Sequence, residues 1–204
     1  MKIYMIRHGA TKGNKEHRYI GSTDEGLLTE ECAALMALQE SYKNICSNCV
    51  YVSPMRRCRE TAELLFPHAR QLVVEEFREC DFGDFEYKNY EELNGNRDYQ
   101  RFIDSGGRCG FPGGETRDEF QKRCVDGLLG VIGNCDENTL DIVMVVHGGT
   151  IMALLDRFSN PHGDYYDWQV RNGCGYVAEI ESDKNGEICL VNMMMVSKAL
   201  FTKS

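Results

Sequence analysis

Residues 1–14 read MKIYMIRHGATKGN. The apolar run Ile3-Tyr4-Met5-Ile6 stops abruptly at Arg7-His8-Gly9 and gives way to polar residues. A short apolar run bounded by turn residues reads as a strand buried on both faces. The same design returns far along the chain, where a run from Leu140 to Val146, apolar but for Asp141, ends at His147-Gly148-Gly149. Between and beyond these two runs lie further short strands, Val50-Tyr51-Val52, Leu72-Val73-Val74, 175–181 and 187–195, the last two flanking the turn Lys184-Asn185-Gly186. Helices are expected from Thr29, with Leu35, Met36 and Leu38 on the apolar face, and from Ser53-Pro54 to about Phe66, with Ser53 as N-cap. Thr116-Arg117-Asp118-Glu119 is a capping box opening a helix to about Ile132, and another helix covers 150–158. Strands alternating with amphipathic helices specify an α/β fold, a mostly parallel central sheet with helices on both faces. In such a sheet, ligands sit beyond the carboxyl ends of the strands, where both histidines fall.

The 204 residues fit one domain, 1–204, in which residues 80–114 form a small helical and loop insertion, lid-like, with short helical patches near 88–93 and 97–104. Hydrophobic residues make up 42% and charged residues 27%. A net charge of -9 argues against nucleic acid or an anionic membrane as partner, so an anionic substrate must meet cations gathered locally. No run spans a bilayer, and the N-terminus lacks the pattern of a signal peptide, so a cytoplasmic protein is expected. The ten cysteines are scattered and read as small hydrophobes in a reducing compartment. Cys46 and Cys49 form a CxxC with no second pair to complete a metal site, and neither metal nor cofactor is expected.

Arginine binds phosphate as a planar fork, and a histidine with one ring nitrogen tied to the backbone exposes the other as a nucleophile. Arg7-His8-Gly9 therefore suits attack on a phosphoryl group, although a histidine after a strand is more often structural. Two further sites shift that balance. Ser53-Pro54-Met55-Arg56-Arg57 puts arginines in a first helical turn, where the macrodipole disfavours cations unless an anion or acid compensates them. His147-Gly148-Gly149 repeats the strand–His–Gly design.

With these sites in view, the chain resembles the histidine phosphatase superfamily, also called the phosphoglycerate mutase-like family. The matching pieces, in the family's order, are IRHGATKGN, GSTDEGLLTEE, VSPMRRCRETAELL, FRECDFGDFE, FPGGET and VVHGGTIMALL. The resemblance implies that His8 is the nucleophile that becomes phosphohistidine. Arg7 and Arg57 correspond to the clamp on the phosphoryl oxygens, with Arg56 at the rim. His147 corresponds to the second histidine, a donor to the phosphoryl group, and Asn14 to a phosphate-contacting position. Glu79 corresponds to the acid that protonates the leaving oxygen, chosen by the motif from an acidic neighbourhood of Glu75, Glu76, Asp81, Asp84 and Glu86. His17, His68 and His162 match no catalytic position. The pattern departs at Cys32 and Tyr87, where the family usually has glycine.

The resemblance leaves three readings: a metal-independent phosphatase for a small phosphomonoester, a phosphoglycerate mutase, and a non-enzymatic binding module. The full set of catalytic residues disfavours the module. The short stretch between Glu79 and Glu115 favours the phosphatase, since the mutases carry a larger insertion there. Phe82, Phe85, Tyr87, Tyr90, Tyr99, Phe102 and Phe111 either line a pocket for a flat or apolar group or form the insertion's own core. Among short family members the pattern is similar to alpha-ribazole phosphatases and to broad-specificity phosphatases. The sequence does not specify an oligomeric state.

Overall fold

The structure is a computed structural model that describes residues 1–42, 45, 47–136, 139–182 and 184–196. Six strands, β1 Lys2–Arg7, β2 Cys49–Val52, β3 Arg70–Val73, β4 Asp141–Val146, β5 Gly175–Ser182 and β6 Ile188–Val196, form one sheet in the order β3-β2-β4-β1-β5-β6. The pairs β3·β2, β2·β4 and β4·β1 are parallel, and β5 and β6 add an antiparallel edge. The helices are α1 Lys12–Lys15, α2 Thr29–Tyr42, α3 Arg56–Leu65, α4 Arg97–Asp104, α5 Arg117–Gly133 and α6 Gly148–Phe158.

Strand alternation divides the core. Ile142, Met144 and Val146 pack with Phe120, Leu128, Leu154 and Phe158 of α5 and α6. Val143 and Val145 point the other way, into Leu35, Leu38, Cys58 and Leu65 of α2 and α3. Helix α2, which lies between β1 and β2, thus covers one face and α6, which follows β4, covers the other. Adjacent parallel strands whose connections diverge leave a crevice between them at their carboxyl ends. The register Arg7↔Val146 brings the two His-Gly turns side by side at that crevice, and the His8 amide donates to the Val146 carbonyl at 3.0 Å.

Several local expectations are corrected. Helix α3 starts at Arg56 with Met55 as N-cap and no side-chain cap, so Ser53 does not cap it. Its Oγ is turned to His147, and Pro54 lies ahead of the helix rather than in its first turn. Met36 is 60% exposed, because the buried stripe of α2 runs through Leu35, Leu38 and Tyr42. Residues 88–93 are turns rather than helix: the Asn89 side chain accepts from the amides of Glu91 and Glu92, competing with helical bonding. Strand β3 lies at 70–73, two residues earlier at its start than read, and α6 begins at Gly148. The capping box of α5 is present, with Thr116 and Glu119 exchanging hydrogen bonds. The nine described cysteines are free thiols; Cys46 lies outside the described residues. No described helix is long and apolar enough to cross a membrane.

Candidate active site

The strand ends and first helical turns build one buried polar cluster, of which Arg7, Asn14 and Glu79 line a cavity of about 860 Å³ while His8, Arg57 and His147 are buried. His8 is 3% exposed, and its Nδ1 lies 2.7 Å from the Gly9 carbonyl. A carbonyl only accepts, so Nδ1 carries the proton and Nε2 keeps its lone pair. Burial, then Arg57 and Arg7, hold the His8 pKa well below its ordinary value, and the Gly9 carbonyl opposes them only in part. Gly9 is required for space: a Cβ there would stand 2.8 Å from Glu31 Cγ and Leu35 Cδ1 on α2. Its amide donates to Thr61 Oγ1 at 2.9 Å, fixing the turn onto α3.

His147 is fully buried, its ring centroid 5.1 Å from that of His8. Its Nε2 lies 2.8 Å from Ser53 Oγ, and Arg57 Nε donates to its Nδ1 at 3.3 Å. Burial, followed by Arg57, His8 and Arg7, depresses its pKa too, so both imidazoles are neutral. Arg57 is 1% exposed; its other nitrogens donate to the carbonyls of Thr23, Ile20 and Gly21 at 2.8 to 3.2 Å. Glu86 in turn accepts from the amides of Gly21 and Thr23 and so holds this carbonyl cage. A cation in a first helical turn is thus compensated by backbone oxygens as well as by the nearby acid. Arg56 is turned away, its Nε 2.6 Å from Glu60 Oε1.

Arg7 lines the cavity and donates through NH1 to the Val170 carbonyl at 2.7 Å, while its buried Nε has no hydrogen-bond partner. Asn14 also lines the cavity. Its Oδ1 is occupied by Thr11 and by Asn172 Nδ2, which leaves the amide Nδ2 as its donor. Of the six clustered acids, Glu79 alone lines the cavity. Its Oε2 is 4.0 Å from His147 Nδ1, and Oε1 accepts from the Cys80 amide at 3.0 Å. The carboxylate sits at the start of α6 so closely that a Cβ on Gly149 would come within 2.4 Å of it. Burial raises the Glu79 pKa against the opposing pull of the Cys80 amide, Arg57 and Arg7. An acid that burial makes less ready than usual to give up its proton thus faces a histidine pair and two arginines.

His8, Arg7, Arg57, His147, Asn14 and Glu79 therefore converge. His17 joins the cavity wall, while His68 sits in an exposed turn. Sequence reasoning missed Asn172, whose Nδ2 donates to the carbonyl of His8 at 3.1 Å and to Asn14 Oδ1 at 3.1 Å, tying the two together. It also missed Ser53 as a partner of His147. The insertion aromatics divide: Phe85 and Phe102, with Leu93, form a small core, while Phe82, Phe102 and Phe111 reach the cavity wall.

The chain belongs to the histidine phosphatase superfamily (branch 1), whose family model matches residues 3–192. It is 27% identical over 184 residues to the phosphatase PhoE of Bacillus subtilis, spanning 89% of this chain and 90% of that protein. It is 31% identical over 164 residues to phosphoglycerate mutase-like protein 4 of Arabidopsis thaliana, 76% and 70% of the respective chains. The alpha-ribazole phosphatase of Shigella flexneri shares the fold, with a TM-score of 0.79 and 21% identity over 93% of this chain and 94% of that one. Membership supports a phosphatase or mutase. The family's usual glycine after Glu86 has a local counterpart here: Tyr87 keeps a left-handed backbone, φ 58°, with Arg18 stacked 5.1 Å over its ring.

Proposed function

We propose that this chain is a cytoplasmic phosphomonoester hydrolase that works through a phosphohistidine on His8. The observation that carries this reading is the fixed His8 ring, with Nδ1 held by the Gly9 carbonyl and Nε2 left as a nucleophile between two arginines. Arg7, Arg57 and the Asn14 amide hold the phosphoryl oxygens and neutralise charge as it develops. His8 Nε2 attacks phosphorus in line, the bond to the leaving oxygen breaks, and Glu79 gives that oxygen its proton. The raised pKa of Glu79 suits the donor role, and a bound dianion raises it further. With Arg57 Nε donating to His147 Nδ1, Nε2 carries the ring proton and donates to Ser53 Oγ; because that hydroxyl both donates and accepts, the ring can present Nδ1–H instead once a phosphoryl group takes the Arg57 donor. Glu79, now ionised, takes a proton from water as that water attacks phosphohistidine, releasing phosphate and neutral His8. Guanidinium and imidazole donors supply the field a metal supplies elsewhere, so activity is expected to survive a chelator followed by gel filtration.

The cavity favours hydrolysis of a bulky ester over mutase chemistry. Its volume of about 860 Å³ far exceeds a three-carbon phosphate, and Phe82, Phe102 and Phe111 offer faces to a flat or apolar alcohol. Residues 80–114 serve as the lid-like wall. Alpha-ribazole 5′-phosphate, or a broad set of such esters, fits this wall. A panel of phosphorylated metabolites in ¹⁸O-labelled water tests the assignment. Hydrolysis puts one labelled oxygen into released phosphate, with bulky esters turned over fastest. Interconversion of phosphoglycerates without phosphate release supports the mutase instead.

A further inference from the structure

Glu79 is the acid of the proposed reaction, yet it stands on an irregular segment between β3 and the insertion, with no strand or α-helix to hold it. A 3-10 turn at Glu75–Phe77 precedes it, and Arg78 and Asp81 on either side are exposed. A general acid must be held to within a fraction of an ångström of the leaving oxygen. Something outside the segment has to supply that rigidity.

The segment is gripped from α5. All five N–H donors of Arg123 are accounted for. NH1 donates to the carbonyls of Glu76 at 2.7 Å and Arg78 at 3.0 Å. NH2 donates to the Glu79 carbonyl at 3.4 Å and to Glu115 Oε2 at 2.7 Å, and Nε donates to Glu115 Oε1 at 2.9 Å. Glu115 Oε2 also accepts from the Asp81 amide at 2.9 Å, and its own amide donates to the Asp81 carbonyl at 2.9 Å. One fork-to-fork pair thus binds the backbone before, at and after Glu79, leaving the acid's side chain free to face the cavity. Lysine cannot replace this, because a point charge does not present a planar set of five donors. Gly127, one turn after Arg123 on α5, lets the helix approach closely: a Cβ there would stand 2.8 Å from Glu76 Cβ.

We propose that Arg123 and Glu115 are positioning residues for Glu79, acting on proton donation to the leaving group and not on phosphate binding or on the nucleophile. This inference rests on Glu79 being the acid. Its signature is leaving-group dependence. An alkyl phosphate leaves as a strongly basic alkoxide and needs the proton, whereas 4-nitrophenyl phosphate leaves as a stable phenolate and hardly does.

The test is a double-mutant cycle read in single-turnover phosphorylation rates with 2-phenylethyl phosphate and 4-nitrophenyl phosphate. Displacing an acid by about 1 Å costs on the order of 10²-fold, so Arg123→Gln is expected to slow the alkyl ester by roughly 10- to 100-fold. The nitrophenyl ester should change little. In a Glu79→Gln background the same substitution should cost nothing further on the alkyl ester, since both act through one proton. Arg123→Lys should fall short of wild type. If Arg123→Gln does not fold, as judged by thermal melting, Glu115→Gln carries the same cycle, with a smaller alkyl-selective loss expected. Equal losses on the two esters, or losses that add to those of Glu79→Gln, overturn the proposal while leaving Glu79 as the acid. A Glu79→Gln variant with no alkyl-selective loss overturns the assignment of the acid, and the positioning role falls with it.

Discussion

His8 and His147 stand at neighbouring strand ends, each followed by glycine, and their rings are tied down through different nitrogens. The His8 ring is held through Nδ1 by the carbonyl of the next residue, a contact that the β1 turn makes on its own. His147 opens α6 directly, and its ring is held through Nε2 by Ser53, a residue on a different strand end. Its Nδ1 is turned toward Arg57 and Glu79. The same strand–His–Gly pattern therefore anchors Nδ1 in one case and Nε2 in the other. A local carbonyl makes a ring an acceptor at its far nitrogen. A hydroxyl partner can donate or accept, so the tautomer follows whatever meets Nδ1, which here is the Arg57 Nε–H. Sequence similarity between two turns does not carry over to their chemistry, because the partners that set the tautomer come from elsewhere in the fold.

If the difference is real, the two histidines fail unequally when removed. His8→Ala deletes the attacking atom and should lower the turnover of any phosphomonoester by about 10⁴-fold or more. His147→Asn removes one donor to the developing charge and should cost about 10²–10³-fold, with the nucleophile still in place. Steady-state rates on 4-nitrophenyl phosphate distinguish the two. Equal losses, or a His8→Ala variant that keeps most of its rate, break the comparison.

A smaller effect separates burial from catalysis. Both imidazoles are held neutral in the fold, with values well below the ordinary 6.5. As pH falls, the unfolded chain takes up these protons first. Their contribution to stability is therefore complete above about pH 6.5 and is lost below it, with a limiting slope of about 1.4 kcal/mol per pH unit for each histidine. Glu79 works in the opposite direction. Its raised value means that the folded chain keeps a proton the unfolded chain has released, so its contribution is present at low pH and is lost as pH rises through the raised value. Denaturant titrations of the wild type and His8→Gln between about pH 7 and pH 5 should show the shallower acid loss in the variant. Parallel curves would mean that His8 titrates alike in folded and unfolded chains.

How much of this was legible in the sequence follows from how local each interaction is. The strand ends at His8 and His147 were readable, because a buried strand shows as an apolar run and its end as a break. The capping box at Thr116 was readable for the same reason: both partners lie within four residues. The site residues themselves were reached through ordered motifs. Ser53 reads as a cap, since Ser-Pro before a helix is the ordinary capping pattern, whereas its partner His147 is 94 residues away. Asn172 gave no signal, because its hydrogen bonds run to carbonyl and amide atoms 158 or more residues distant. Met36, an apolar residue beside Leu35, resembles part of the buried stripe, yet on a helix adjacent residues point about 100° apart. The choice of Glu79 among six acids became geometric only when the fold showed which of them reaches the cavity.

The central claim is that His8, through Nε2, carries the phosphoryl group. The direct measurement is alkaline quenching of the enzyme during turnover of ³²P-labelled substrate, followed by peptide mapping. Label is predicted on the peptide bearing His8, attached at Nε2 because Nδ1 is committed to the Gly9 carbonyl, stable in base and lost in mild acid. It should be absent from His8→Ala and still form, more slowly, in His147→Asn. Label on His147, or an acid-stable adduct on a serine, would contradict the account.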